Sequence, residues 1–269
     1  MSQNAPAPVE IEQGDSPIIL GLPHTGTWLP ESVRNDLNDR GRELADTDWN
    51  IHHLYAGLLP GATTVRATFH RYVIDANRGP ENDSLYPGQN TTGLVPLTDF
   101  DGTPIWRAEP DAAEIEMRLA QFHAPYHAAL RAEIARVRAR HGVAILYDCH
   151  SIRSHIPFLF DGKLPDFNIG TANGTSCAPQ IETTTAAICA RAQGFDHVVN
   201  GRFKGGWTTR HYGQPNEGVH AIQMELAQST HLTVEAPPWE INADKAARLR
   251  PHLGEILRAL ESLAPELRA

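Results

Sequence analysis

The sequence predicts one α/β domain, a mixed, mainly parallel sheet flanked by helices on both faces. Three observations carry that expectation. The runs PIILGL (17–22) and GVAILYD (142–148) are apolar until their ends, and VHAIQMEL (219–226) is largely apolar, which suits strands buried on both faces. Helix-like segments separate them. No repeat and no Gly/Ser or charged linker divides the 269 residues.

Taken in order, residues 1–14 read as a flexible lead-in, and the domain is expected to occupy 15–269. PIILGL is the first central strand and ends at Pro23. Residues 40–59 carry helical spacing, with Leu44, Trp49, His52 and Leu58 as inward positions. ATTVRATF (62–69) is β-branched and strand-like, and YVIDA (72–76) reads as its continuation. Residues 79–105, rich in Gly, Pro, Asn and Asp, read as a long loop, a feature that is often functional inside a domain. A helix over 108–140 is expected to split or kink at Pro125. After the GVAILYD strand come a helix over 178–193, a strand at DHVVN and a glycine-punctuated loop over 201–213. VHAIQMEL and an amphipathic helix over 241–263 complete the chain.

Composition narrows the function. The net charge of -9, with no basic run, argues against nucleic acid and anionic membranes as partners. The three cysteines form no CxxC pair, no N-terminal signal pattern is visible, and no stretch approaches a membrane span. A cytoplasmic protein acting on a small molecule is the expectation.

Ligands of open α/β sheets bind beyond the carboxyl ends of the strands. PIILGL delivers His24 there, GVAILYD delivers Asp148, His150, Ser151 and Arg153, and VHAIQMEL delivers Glu225. Two histidines and a carboxylate on separate strand ends are the raw material of a zinc site plus a base, since catalytic zinc takes three His or carboxylate ligands and one water. Asp46 and Asp48 are both candidates for the third ligand, although an Asp at a helix start also serves as a cap. His123 and His127, spaced i, i+4 around Pro125, read as ordinary helix histidines. Asn77 and Arg78 in DANR, Arg153 in SIRS, and Arg210 with Lys204 in the 201–213 loop suggest an anionic ligand, because a guanidinium grips a carboxylate bidentately. A Ser or Cys nucleophile at Ser151 or Cys149 is disfavoured: GxSxG is absent and His150 is merely adjacent.

PHTGTWLP, DTDWNIHHLY, HRYVIDANRGP, DCHSIRS and FKGGWTTRHYGQPNEGVHAIQMELAQ, in this order, resemble the N-formylglutamate amidohydrolase (deformylase) family over most of the chain. The family is similar to zinc carboxypeptidases and aspartoacylase-like deacylases, which implies a zinc-carboxypeptidase-like fold. The resemblance implies one zinc per chain on His24, His150 and a carboxylate. Those carboxypeptidases carry Glu three residues after the first His, where this chain has Thr27, so DTD becomes the best source, with Asp48 preferred to Asp46. It further implies Glu225 as the base for a zinc-activated water, Arg153 at the oxyanion, and Asn77, Arg78 and Arg210 on the substrate carboxylates. The implied reaction is hydrolysis of N-formyl-L-glutamate to formate and L-glutamate, late in histidine degradation. Cobalt or manganese would suit the same donors. A related zinc N-acyl-amino-acid deacylase, a small carboxypeptidase, or a module that binds a metal or acidic metabolite without turnover are the alternatives.

Overall fold

Seven strands form one sheet in the computed structural model, which describes residues 5–84 and 88–268. They are β1 (Val9–Glu12), β2 (Ile18–Leu22), β3 (Thr63–Ala67), β4 (Ala144–Ile152), β5 (Phe167–Gly170), β6 (His197–Val199) and β7 (Val219–Ala227), in the spatial order β1-β3-β2-β4-β7-β5-β6. The four central strands, β3-β2-β4-β7, run parallel. β1 joins one side antiparallel, and β5 pairs antiparallel with β7 and parallel with β6. Every residue of β2, β4 and β7 is buried, as in strands of a doubly covered sheet.

The helices are α1 (Glu31–Asp36), α2 (Asp39–Arg42), α3 (Ile51–Tyr55), α4 (Ala112–Arg118), α5 (Ala124–His141), α6 (Pro179–Arg191), α7 (Trp207–Tyr212) and α8 (Ala243–Leu263). Side chains alternate across a strand. Ile18, Leu20 and Leu22 therefore enter a core with Leu54, Ile181 and Leu253, whereas Ile19 enters the opposite core with Val33, Leu130 and Ile134. Helices thus cover both faces, as the sequence predicts. The chain leaves β2 toward β3 on one side, and β4 then lies on the other side of β2. This reversal opens a crevice at the carboxyl ends of β2 and β4.

Several elements differ from expectation. Residues 9–12, inside the expected lead-in, form edge strand β1, with Val9 opposite Ala67 and Glu10 bound by Arg66 at 2.6 Å. Residues 1–4 of that lead-in lie outside the described residues. The expected 40–59 helix is two short helices separated by turns, because Leu44 and Asn50 adopt positive φ of 53° and 62°. α3 buries Ile51, Leu54 and Tyr55, whereas the expected inward positions Leu44, Trp49, His52 and Leu58 are half-buried. YVIDA does not continue β3 but folds as buried turns, in which Asp75 accepts from its neighbours rather than joining a ladder. The 201–213 loop contains α7. β5 is an element that the sequence does not announce: FNIG is too short to show a period. The 108–140 helix does break near Pro125, through a π turn over Leu119–His123. The loop over 79–105 holds no named helix or strand among its described residues, and 85–87 lie outside them.

Candidate active site

The crevice end of β2 carries the PHTG turn. The amide of Asp48 donates to the carbonyl of His24 at 3.0 Å, which ties the DTD turn to it. Asp48, rather than Asp46, therefore reaches the strand ends. Asp46 faces away, accepting from the Tyr72 hydroxyl at 2.8 Å and the Phe100 amide at 3.0 Å. β4 places Asp148 and His150 two residues apart on one face, and the β4–β7 register sets Glu225 beside His150.

His24, Asp48 and His150 offer three buried donor atoms that all lie within 4.8 Å of one another. Asp48 Oδ2 lies 3.0 Å from His150 Nδ1 and 3.8 Å from His24 Nδ1. Each imidazole is held at its other nitrogen by a carboxylate. His24 Nε2 meets Asp75 Oδ1 at 2.7 Å, and His150 Nε2 meets Asp148 Oδ2 at 3.2 Å. Carboxylates placed behind imidazoles in this way fix ring orientation and strengthen the opposite nitrogen as a metal ligand. Asp75 is fixed in turn by Arg71, whose Nη2 donates to Oδ2 at 2.7 Å.

The field at the site favours a cation. Burial opposes a charge on His150, but Asp148 and Asp48 outweigh it and hold its pKa well above the ordinary imidazole value. Burial and the Arg71 charge lower His24. Burial would raise Asp75, yet Arg71, His24 and Arg78 overcome it and keep the carboxyl well below the usual range. Two histidines and one carboxylate, with oriented rings and a field that draws positive charge, fit a divalent metal.

Glu225 lines the same cavity. Burial raises its pKa, His150 and Arg71 pull it down, and Asp48 and Asp148 push it up. Gln223 fixes its position: Gly206 N donates to Gln223 Oε1 at 2.7 Å, and Gln223 Nε2 donates to Glu225 Oε2 at 3.1 Å. Asn77 and Arg78 also line the cavity. Asn77 Nδ2 lies 3.1 Å from His150 Nε2, and Arg78 Nε donates to Thr92 O at 2.9 Å.

Two of the sequence-derived candidates are not brought in. Arg153, just beyond the end of β4, donates to Asp101 Oδ2 at 3.0 Å and is not part of the cavity lining. Arg210 lies in α7 with its Nε on the Gly205 carbonyl at 2.9 Å, also outside the lining. The cavity's other arginines are Arg71 and Arg202, which sequence reasoning missed. Arg71 sits beside the strand-like run YVIDA, whose apolar character concealed a polar turn. Arg202 shares a loop with Arg210, and nothing in the sequence ranks one above the other.

Comparison with known proteins completes the picture. A profile of the N-formylglutamate amidohydrolase family matches residues 16–232. The chain is 46% identical over 255 residues to an N-formylglutamate deformylase of Pseudomonas putida, covering 94% of this chain and 95% of the relative. It is 47% identical over 256 residues to that of Pseudomonas aeruginosa, with the same two coverages. Its fold is similar to the solved N-formylglutamate amidohydrolase of Ralstonia eutropha JMP134, with a TM-score of 0.80 and 24% identity over 97% of this chain and 99% of that one.

Proposed function

This chain belongs to the N-formylglutamate amidohydrolase family, and from that premise we propose how its residues divide the work of hydrolysis. It is an amidohydrolase that cleaves N-formylglutamate to formate and glutamate. The single observation that carries the mechanistic reading is the buried His24–Asp48–His150 group with Glu225 on the adjoining strand.

His24, Asp48 and His150 would hold a divalent metal such as zinc, which would supply Lewis acidity and bring the pKa of water down toward ~7. Beside such a dication the Glu225 carboxyl would ionise more readily, against the burial that raises it, and the carboxylate would be available as a base. Glu225 takes a proton from the attacking water as its oxygen bonds to the formyl carbon. The same carboxyl then gives that proton to the departing nitrogen as the C–N bond breaks, so one group serves both steps. Gln223 keeps it aimed.

Arg71 takes the oxyanion role that the sequence suggested for Arg153. It lines the cavity beside His24, and its Nε is buried without a partner of its own. Arg78 and Arg202 line the cavity and match the two carboxylates of the substrate, with Asn77 beside Arg78. Thr91, Thr92 and Phe100 complete the wall around them.

The test is Glu225→Gln, which keeps size and hydrogen-bonding capacity but removes the base. Formate release falls about a thousandfold, within the range expected for loss of a general base, while bound metal stays at the wild-type level. A variant with undiminished turnover would remove Glu225 from this role.

A further inference from the structure

The mechanism above leaves one motif at the start of α5 unused. His123 and His127 are buried, lie four residues apart, and do not line the cavity. Each directs Nε2 at a backbone carbonyl of the DANR segment. His127 Nε2 lies 2.9 Å from Ala76 O, and His123 Nε2 lies 2.9 Å from Arg78 O. These carbonyls flank Asn77 on its two sides.

We propose that His123 and His127 are positioning residues that set Asn77 and Arg78 against His150, through Nε2–H donors to the carbonyls on either side of Asn77. A carbonyl only accepts, so both rings must carry their proton on Nε2. For His127 the contact behind the ring agrees with this tautomer: the Tyr212 hydroxyl lies 2.9 Å from Nδ1, and a neutral ring protonated on Nε2 accepts there. Burial keeps both partners neutral, lowering His127 to about 3 and raising Tyr212 to about 12. The π turn over Leu119–His123 lets α5 begin in its own phase at Ala124, where Pro125 has no amide to complete an ordinary helix turn.

Asn77 is held from other directions as well. Thr208 N, in the first turn of α7, donates to Asn77 Oδ1 at 2.9 Å. Gly206, two residues earlier, packs so closely that a Cβ there would stand 2.2 Å from Asn77 Nδ2, so any larger residue would displace the Asn77 amide. Trp207 fills the space between α7 and the two histidines, with its ring centre 4.9 Å from that of His127 and 6.1 Å from that of His123. α5, α7 and β4 therefore converge on one asparagine. An error in the backbone at residues 76–78 would move Asn77 and Arg78 together.

The inference rests on the proposed substrate role of Asn77 and Arg78, and the experiment separates the two. Steady-state kinetics on N-formyl-L-glutamate are measured for the metal-loaded wild type, Arg78→Ala, His127→Phe, His127→Gln and Tyr212→Phe, with metal content and melting temperature for each. His127→Phe keeps an aromatic ring but loses the donor. It raises KM about tenfold, the scale of one buried carbonyl left without a partner, with metal content unchanged. His127→Gln offers a side-chain N–H and recovers most of the loss, which a purely space-filling role would not predict. Tyr212→Phe releases the tautomer and raises KM in the same direction by about threefold.

A wild-type KM in folded, metal-loaded His127→Phe overturns the proposal, as does equal damage from Gln and Phe. If His127→Phe does not fold, an unchanged KM in Tyr212→Phe overturns it. Should Arg78→Ala itself leave KM unchanged, the substrate role falls and the brace falls with it. Should Arg78→Ala raise KM while the His127 and Tyr212 variants do not, only the brace is lost.

Discussion

His24 and His150 on the cavity floor are each 2% exposed, and His123 and His127 beneath the Asn77 segment are 3% and 2% exposed. The two pairs are equally buried, and what separates them is the partner of each nitrogen. In the first pair Nε2 meets a carboxylate, Asp75 or Asp148, and Nδ1 faces Asp48. In the second pair Nε2 meets a neutral carbonyl, and His127 Nδ1 meets a hydroxyl. Carboxylates raise His150 in spite of burial, whereas burial with the Arg71 charge lowers His24, and burial lowers His123 and His127. What marks a buried histidine as a candidate ligand is therefore a carboxylate at both of its ring nitrogens.

The largest effect expected from this contrast is on metal retention. His150→Ala removes a donor and leaves Asp48 and Asp148 without their shared partner, so bound metal is lost after dialysis and formate release drops by at least ~1,000-fold. His127→Ala retains metal at the wild-type level. Equal metal content in the two variants, read by elemental analysis, would erase the distinction between the pairs.

A smaller effect belongs to the carboxylate behind the ring. Asp75→Asn keeps the shape of the contact to His24 but removes the charge, and metal affinity falls about 10- to 100-fold in competition with a chelator of known affinity. The Arg71 guanidinium loses its ion-pair partner in the same variant, so a fall in kcat accompanies the change.

The smallest effects are expected at the two arginines outside the cavity. Arg153→Ala and Arg210→Ala change kcat/KM by about threefold or less, the scale of a peripheral ion pair or carbonyl contact. Arg202→Ala, within the lining, raises KM more than either. The reverse ranking would restore the roles that the sequence suggested for Arg153 and Arg210.

These arginines also mark where sequence reasoning stops. His24, His150 and Glu225 were legible because each lies at or near the end of a largely apolar strand, and a parallel sheet collects such ends in one crevice. Asp48 could be narrowed only to DTD. What distinguishes it from Asp46 is the backbone hydrogen bond to His24, a contact between residues 24 positions apart in the chain. Asp75 and Arg71 were hidden because YVIDA has the composition of a strand, while tertiary ion pairs make it a buried turn. β1 was lost to its short length at an edge, and α7 to the glycines around it. The strands that place the site were readable, and the loops that choose which side chains face it were not.

The most direct test of the account is formate release from N-formyl-L-glutamate by one preparation, assayed as purified, after removal of bound metal by a chelator, and after return of one equivalent of zinc. The account predicts release that chelation abolishes and zinc restores, with His150→Ala unable to recover. Turnover that persists unchanged in protein verified to be metal-free would contradict it.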